Sequence, residues 1–204
     1  MKLYVSPKAP NPRRVQMFVA EKGLRIPEVA IDLNALEHQS ADFKAKSPLA
    51  KVPALELDDG RVLTETRAIC TYLEGLQPEP NLMGRTAEER AFIEMADRRV
   101  EWYWLLPVAA CVRHTHPGLA VLEQPQFPDF GRAQGEKALD MARWLDEQLQ
   151  SQAWVAGDRF TIADITAFCA LEFARLMRFK PSEAGLSALA RWRDVMASRP
   201  SASV

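Results

Sequence analysis

The sequence predicts two regions of different fold class, an α/β N-terminal region and an all-helical C-terminal region. Up to residue 76, short segments with strand periodicity alternate with segments of helical periodicity, which is typical of an α/β layer structure. Beyond residue 85 only helical periodicity is present, with no repeat and no low-complexity segment. Residues 77–85 contain two prolines and a glycine without periodicity, which predicts a linker. We therefore expect domains at residues 1–76 and 86–204.

The N-terminal region predicts the element order β-α-β-(α)-β-β-α. The segments KLYVS and EVAIDL predict two strands, and PALELDDGRVLTE predicts a hairpin that turns at Asp59-Gly60. Between the first two strands, apolar residues recur at helical spacing, which predicts a helix from Pro12 to Gly23. SADFKAKS predicts an irregular or short helical connection, and a helix that ends near Leu76 completes the region.

The C-terminal region predicts a helical bundle. Two long amphipathic helices are expected over TAEERAFIEMADRRVEWYWLLPVAACVRHTH and FGRAQGEKALDMARWLDEQLQS, with shorter helices to about Ser198. In FTIADITAF, Thr161 is placed as an N-cap, and Asp164 follows three residues later as its reciprocal partner. This spacing predicts a capping box, so we expect Asp164 to be structural rather than catalytic.

Charge and composition narrow the classes of partner. The charges of the 27 acidic and 26 basic residues nearly cancel. The protein therefore has no large positive charge that would attract nucleic acid or an anionic membrane. No apolar segment approaches the ~20 residues of a membrane helix, and MKLYVSPKAP reaches a proline before a signal-peptide core could form. We therefore expect no nucleic-acid or membrane partner and a cytoplasmic location. Cys70, Cys111 and Cys169 lie in separate apolar helical segments and are expected to be buried and unreactive.

Four segments occur in a characteristic order: EHQSADF, SPLAKVPALE, LTETRAI and VAGDRFTIADI. Together they resemble the cytosolic glutathione transferase family over essentially the whole chain. The resemblance implies a thioredoxin-like N-terminal domain, an all-α C-terminal helical bundle, glutathione as co-substrate and a homodimer. No metal is expected, because His114 and His116 are two residues apart and would point to different sides of a helix.

The first three of these segments imply a glutathione site. Pro53 matches a cis-proline of the family, and Val52 would then offer its backbone N–H and C=O to the cysteinyl part of the tripeptide. From the residues alone, an ordinary trans proline at a strand entry is the alternative. The backbone and hydroxyl of Thr66 would hold the γ-glutamyl carboxylate at a helix N-terminus, and Glu65 would accept the ammonium. The alternative is that Thr64 or Thr66 only caps the helix and Glu65 complements its dipole.

Three further residues match positions that usually reach the glycyl carboxylate of glutathione: His38, Gln39 and Lys51. Such side chains on polar loops are also commonly just solvated.

The loop SPKAPNPRRV is expected to stabilise the glutathione thiolate. A thiol titrates near 8.5, and lowering that pKa by about two units takes roughly 2.7 kcal/mol. Family members generally aim a Tyr, Ser or Cys at the sulfur, but the usual serine position falls on Ala9, which has no donor. Asn11 is the first candidate, as an N-cap before Pro12 whose amide points at the sulfur, because some similar bacterial members carry an asparagine there.

Ser6, at the end of the first strand, is the second candidate donor. Both residues also have structural interpretations, Asn11 as a cap and Ser6 as a turn residue. Backbone donors or an absence of activation are the remaining alternatives. The prolines of this loop restrict φ and would hold Asn11 in place before the ligand arrives.

The electrophile is expected between this loop and the long helix that carries RRVEWYWLLP. Candidate lining residues are Arg98, Arg99, Tyr103 and His114, although such an aromatic run is more often core or dimer interface. The leading hypothesis is conjugation of glutathione to an electrophilic carbon. Glutathione-dependent disulfide or peroxide reduction is the second, and a non-catalytic glutathione-binding protein of the same fold is the third.

Overall fold

A computed structural model describes residues 1–7 and 9–204, and the chain forms two units. One unit contains Met1–Asn81 and Val204, and the other contains Leu82–Ser203. The first unit consists of β1 (Lys2–Val5), α1 (Pro10–Glu21), β2 (Glu28–Ala30), a 3-10 turn (Glu37–Gln39), α2 (Ala41–Lys46), β3 (Ala54–Glu56), β4 (Val62–Thr64) and α3 (Thr66–Leu76). This order confirms the thioredoxin-like fold that the sequence predicted.

The four strands form one mixed sheet in the order β2-β1-β3-β4. β1 pairs with β2 in parallel, and β3 pairs with both β1 and β4 in antiparallel fashion. Leu3, Tyr4 and Val5 of the central strand β1 are all buried, as expected for a strand covered on both faces. The carboxyl ends of β1, β2 and β4 and the amino end of β3 therefore share one side of the sheet, which we call the Val5 edge.

Helix α1 begins earlier than the sequence predicted. It starts at Pro10, with Ala9 as the N-cap, so Asn11 lies inside the first turn and its prediction as the N-cap was wrong. Proline is well suited to the first helical position, because its φ is already helical and its missing N–H needs no partner there. The helix ends as predicted before Gly23, which has a φ of +64°.

Lys22 joins three segments of the first unit. Its side chain is fully buried and forms an ion pair with Glu74 of α3. The ammonium also donates to the carbonyl of Pro80 at 2.6 Å and lies 5.4 Å from the centre of the Phe18 ring. A buried ammonium is tolerated only with such partners, so this contact ties the end of α1 to α3 and to the chain that follows it.

The second unit is helical throughout its regular structure. It contains α4 (Ala87–Val100), a π-helical segment (Glu101–Leu105), α5 (Leu106–Thr115), α6 (Pro128–Gln148), α7 (Ile162–Ala174) and α8 (Ser187–Ala197), with 3-10 turns at Pro117–Leu119, Arg175–Met177 and Pro200–Ser203. The first predicted long helix is thus continuous from 87 to 115, but its centre is π-helical. This confirms the predicted helical bundle.

Two further expectations concern the burial of the cysteines and the presence of a helix that could span a membrane. Cys70, Cys111 and Cys169 are buried, as predicted. Within residues 1–7 and 9–204, the structure contains no helix with the length and apolar content needed to cross a bilayer.

Asp164 connects three parts of the second unit. Its carboxylate accepts the backbone N–H of Thr161 at 2.9 Å, which completes the predicted capping box of α7. It also accepts the N–H of Val155 at 2.9 Å and the indole N–H of Trp192 at 3.1 Å. Burial raises the pKa of Asp164 to about 6, although these hydrogen bonds act in the opposite direction. The residue is therefore structural, as the spacing predicted.

Asp164→Asn is expected to lower the free energy of unfolding by about 2 to 3 kcal/mol. The NH2 group of the new amide would face the Thr161 N–H, so two donors would lie opposite each other with no acceptor between them. The folded state retains the Asp164 proton between about pH 4 and 6, where the unfolded chain has released it, so the contribution of this residue falls as pH rises through that range. Urea unfolding of both proteins from pH 4.5 to 7 measures this difference.

The control is Asp158→Asn, which changes an exposed carboxylate of the same segment and should shift stability by less than about 0.5 kcal/mol. A difference between the wild type and Asp164→Asn that grows with rising pH would contradict the expected direction of titration.

Candidate functional site

The Val5 edge brings together residues that lie far apart in the sequence. The register pairs Tyr4 with Ala54 and Ala54 with Thr64. Ser6 follows β1, Pro53 precedes β3 and Glu65 follows β4, so all three lie at this edge on neighbouring strands. Adjacent strands are about 4.8 Å apart, which is short compared with a tripeptide. The fold therefore places three groups of predicted site residues within the span of one small ligand.

The segment before β3 has a defined conformation. The Val52–Pro53 bond is cis, as the resemblance implied. The buried Ser47 hydroxyl donates to the Lys51 carbonyl at 2.9 Å and accepts the Lys51 N–H at 3.2 Å. These bonds close the loop of residues 47–51, so the position of Val52 is set by the folded chain.

Glu65 has an unusual backbone conformation at the start of α3. Its φ is +66° and its ψ is 119°, a combination that costs energy for a residue with a Cβ atom. Among the residues that the structure describes, its side chain makes no capping hydrogen bond, and it is exposed, whereas Thr66 is buried. The positive end of α3 therefore lies beside an uncommitted carboxylate, which suits a ligand that carries both an anion and a cation.

The three residues expected near a glycyl carboxylate differ in exposure. His38 lies in the 3-10 turn and is only 7% exposed, whereas Gln39 and Lys51 are exposed. The alternative that these side chains are merely solvated therefore does not hold for His38, whose ring is largely enclosed. Gln39 and Lys51 present polar side chains to solvent, where an anion can reach them.

The first loop contains both candidate donors. Ser6 is 5% exposed, and its carbonyl accepts the Ala9 N–H at 3.2 Å, which forms a turn before α1. Asn11 is exposed, and its Oδ1 accepts a hydrogen bond from Nη1 of Arg14 at 3.2 Å. Ala9, which the resemblance matched to the serine position of the family, has no side-chain donor. Asn11 is thus on the surface of the first turn, whereas Ser6 is buried.

Asn11 is the principal hydrogen-bond donor of the first turn of α1. Pro10 and Pro12 lack N–H groups, so Asn11 has the single backbone N–H among the first three helical residues. Its side chain adds two N–H donors. A helix N-terminus with these donors is suited to an anion, and a thiolate is such an anion.

The residues predicted to line a second-substrate pocket are not all together. Arg99 is near the end of α4, Tyr103 lies in the π-helical segment and His114 is near the end of α5. Arg99 and His114 are about 22 Å apart along this continuous helix, at about 1.5 Å per residue. Tyr103 is 61% exposed and lies close to Arg99 in sequence, so these two residues remain the candidates for one surface.

Two of the other candidates have structural partners. Arg98 pairs with the carboxylates of Glu94 at 3.1 Å and Asp97 at 2.7 Å, and also with Glu101. Nδ1 of His114 accepts the N–H of Phe127 at 3.1 Å. Both side chains are therefore used to hold helices and loops of the second unit in place.

Three features of this structure were missed by the sequence reasoning. The contact between Arg14 and Asn11 is one, although their spacing of three residues on a helix was a usable signal. The strained backbone of Glu65 and the π-helical segment Glu101–Leu105 had no such signal, since neither follows from residue type or periodicity.

Known protein families match both units. Residues 1–75 match the family described as glutathione S-transferase, N-terminal domain, and residues 114–200 match glutathione S-transferase, C-terminal domain. Glutathione S-transferase 2 of Saccharomyces cerevisiae is 37% identical, over 98% of this chain and 87% of the yeast protein. Glutathione S-transferase GstA of Escherichia coli O157:H7 is 32% identical, over 98% of this chain and 94% of that protein.

Solved structures agree with these matches. A glutathione S-transferase domain-containing protein of Marinobacter aquaeolei VT8 superposes with a TM-score of 0.93 at 41% identity, over 98% of this chain and 99% of that chain. Gtt2 from Saccharomyces cerevisiae gives a TM-score of 0.91 at 37% identity, over 98% of both chains. The matched class is thus the two-domain proteins with a thioredoxin-like sheet and a helical bundle.

This chain belongs to the glutathione S-transferase family. It is a glutathione transferase, an enzyme that uses glutathione as its co-substrate.

Glu65→Gly is expected to be more stable than Glu65→Ala by about 1 kcal/mol, because glycine adopts a positive φ without the steric cost that alanine has. Both variants lack the carboxylate, so the comparison isolates the backbone. Urea unfolding measures the difference.

Ala68, exposed on α3, provides the matched control, because Ala68→Gly in a helix should destabilise by about 1 kcal/mol. If glycine were the less stable residue at position 65 as well, the backbone at this position would not be strained.

Proposed function

We propose that this protein conjugates the thiolate of glutathione to small, electrophilic, largely apolar substrates. The observation that carries the proposal is the position of the Asn11 side chain, exposed on the first turn of α1 with its oxygen held by Arg14. Its amide N–H groups are then directed away from Arg14, where they can donate to a sulfur anion. Such a donor supplies the stabilisation that thiolate chemistry needs near neutral pH.

The tripeptide would be held by backbone and polar groups of the Val5 edge. Thr66 would bind the γ-glutamyl carboxylate at the N-terminus of α3, and Glu65 would accept the ammonium. Val52 would pair with the cysteinyl backbone, next to Pro53, and the exposed Gln39 would reach toward the glycyl carboxylate.

Lys51 is the second exposed side chain proposed for the glycyl carboxylate, and His38 would support this region from its buried position. Ser6 is the alternative sulfur donor. Its low exposure favours Asn11, because a buried hydroxyl has less access to a ligand than a side chain on the surface.

The chemical step follows from these assignments. The Asn11 amide would favour the anionic form of the sulfur, and the thiolate would attack an electrophilic carbon to form a carbon–sulfur bond. With an aryl halide the carbon–halogen bond breaks and halide ion leaves, whereas with an epoxide a carbon–oxygen bond breaks and the alkoxide takes a proton from water. A hydrogen bond to a charged group contributes about 1.5 to 3 kcal/mol, which covers most of the roughly 2.7 kcal/mol needed for a two-unit change of pKa. The dipole of α1 and the Asn11 backbone N–H would add to it.

We also propose a homodimer with a cytoplasmic, detoxifying role, as is usual in this family. Phe92 and Trp102 are each 57% exposed, and a partner subunit would give such apolar surface a cover. Sedimentation equilibrium should give twice the 22.9 kDa mass of one chain, and a monomer at micromolar concentration would refute the dimer.

Asn11→Ala is expected to lower kcat/KM for conjugation of an aryl halide by about tenfold to a hundredfold, and to raise the pKa of bound glutathione. Asn11→Asp should be worse for activity, because a carboxylate repels the thiolate. The same substitution should preserve or increase stability, because a carboxylate accepts from Arg14 and suits a helix N-terminus. Initial rates against pH and urea unfolding measure the two effects.

Gln16→Ala, farther along the same helix, serves as the control and should leave conjugation unchanged. Equal activity in the wild type and in Asn11→Asp would remove Asn11 from the mechanism. Ser6→Ala then tests the alternative donor.

The two alternative functions, glutathione-dependent reduction and glutathione binding without catalysis, would give different results in assays of this kind. A disulfide or peroxide reductase would turn over a glutathione mixed disulfide or a peroxide faster than any aryl halide or epoxide. A non-catalytic protein would bind glutathione by calorimetry without turnover of either class, which the absence of a donor at Ala9 would explain.

A further inference from the structure

We infer that Arg14 is a positioning residue, whose buried guanidinium fixes the Asn11 side chain so that its amide N–H groups, and not its carbonyl oxygen, face the glutathione sulfur. This inference rests on the proposed function, because it concerns the donor assigned there. Arg14 itself is 2% exposed, so it is expected to act through Asn11 rather than on the ligand.

The contact has only one chemically favourable orientation. Nη1 of Arg14 lies 3.2 Å from Oδ1 of Asn11. A guanidinium has five N–H donors and no acceptor, whereas a side-chain amide has an oxygen on one side and an NH2 on the other. If the amide were flipped, its NH2 would meet the guanidinium with two donors facing each other. Arg14 therefore selects the orientation with the oxygen inward and the NH2 outward.

Without the hydrogen bond from Arg14, nothing in Asn11 itself would select the orientation of its side-chain amide. An exposed asparagine at the end of a helix rotates about χ2 and presents oxygen or nitrogen with similar ease. Oxygen next to a thiolate would repel it and raise the thiol pKa. A donor that is fixed before the ligand arrives stabilises the anion without reorganisation, which is the basis of electrostatic preorganisation.

The rest of the helix start makes the orientation rigid. Pro10 and Pro12 flank Asn11 and restrict the backbone on both sides. Asn11 and Arg14 are three positions apart, which places the two side chains on the same face of successive turns. The Arg14 side chain is itself enclosed by the folded chain, with 2% of the residue exposed, so its guanidinium has little freedom to move.

A double-mutant cycle tests the inference. It compares the wild type, Arg14→Met, Asn11→Ala and the double variant, with the pKa of enzyme-bound glutathione read from thiolate absorbance in the ultraviolet. Arg14→Met alone should raise this pKa by about 0.5 to 1 unit, and lower kcat/KM below that pKa about threefold to tenfold. In the Asn11→Ala background, the same substitution should change neither quantity, because the group that it positions is absent.

Arg14→Lys retains the charge and one donor, so we expect a bound-thiol pKa between those of the wild type and Arg14→Met. Since Arg14 is buried, Arg14→Met must first be shown to fold by circular dichroism. If it does not, Arg14→Lys replaces it in both backgrounds of the cycle, with the same expectation of an effect only when Asn11 is present.

Three results would overturn the inference. An equal pKa rise in both backgrounds would mean that the charge of Arg14 acts directly on the sulfur. No rise in either background would mean that Asn11 needs no positioning. If Asn11→Ala itself left the pKa and the rate unchanged, the proposed role of Asn11 would fail together with the inference, which distinguishes that failure from the first two.

Discussion

The antiparallel pairing of β3 between β1 and β4 is the constraint on which the site depends. It places Tyr4 opposite Ala54, and Ala54 opposite Thr64. A shift by one residue would turn the buried side chains of these strands outward, so burial of the core fixes the register. The same register determines that Pro53 and Glu65 meet at one edge. The site is therefore positioned by the packing of the sheet, and its ligand contacts need not stabilise the fold.

The first turn of α1 has few hydrogen-bond donors of its own. Ala9 offers no hydroxyl, and two prolines remove backbone donors from the helix start. What remains is concentrated in Asn11, which combines a backbone N–H and a side-chain amide at the positive end of the helix dipole. Arg14 then links this exposed residue to the buried interior. One hydrogen bond thus connects the exposed side chain of Asn11 to the buried side chain of Arg14.

Features that depend on residues a few positions apart could be predicted from the sequence, whereas features that depend on tertiary packing could not. The Thr161 capping box and the end of α1 at Gly23 follow from residue types a few positions apart. The start of α1 at Pro10 was missed, because Asn11 and Ala9 both allow a helix to begin next to a proline, and tertiary packing decides between them. The burial of His38 was missed for a similar reason, since a polar loop gives no sign of what covers it.

The backbone of Glu65 shows how stability and function are divided in this fold. Its positive φ is unfavourable for a residue with a Cβ atom, and the surrounding strand and helix must impose it. The capping box at Thr161, by contrast, is locally favourable. A local conflict that persists beside a helix N-terminus is more readily explained by a requirement of the ligand than by a requirement of folding. The strained backbone of Glu65 and the role proposed for the Asn11 amide therefore indicate the same side of the sheet by independent arguments, one from backbone geometry and one from hydrogen-bond chemistry.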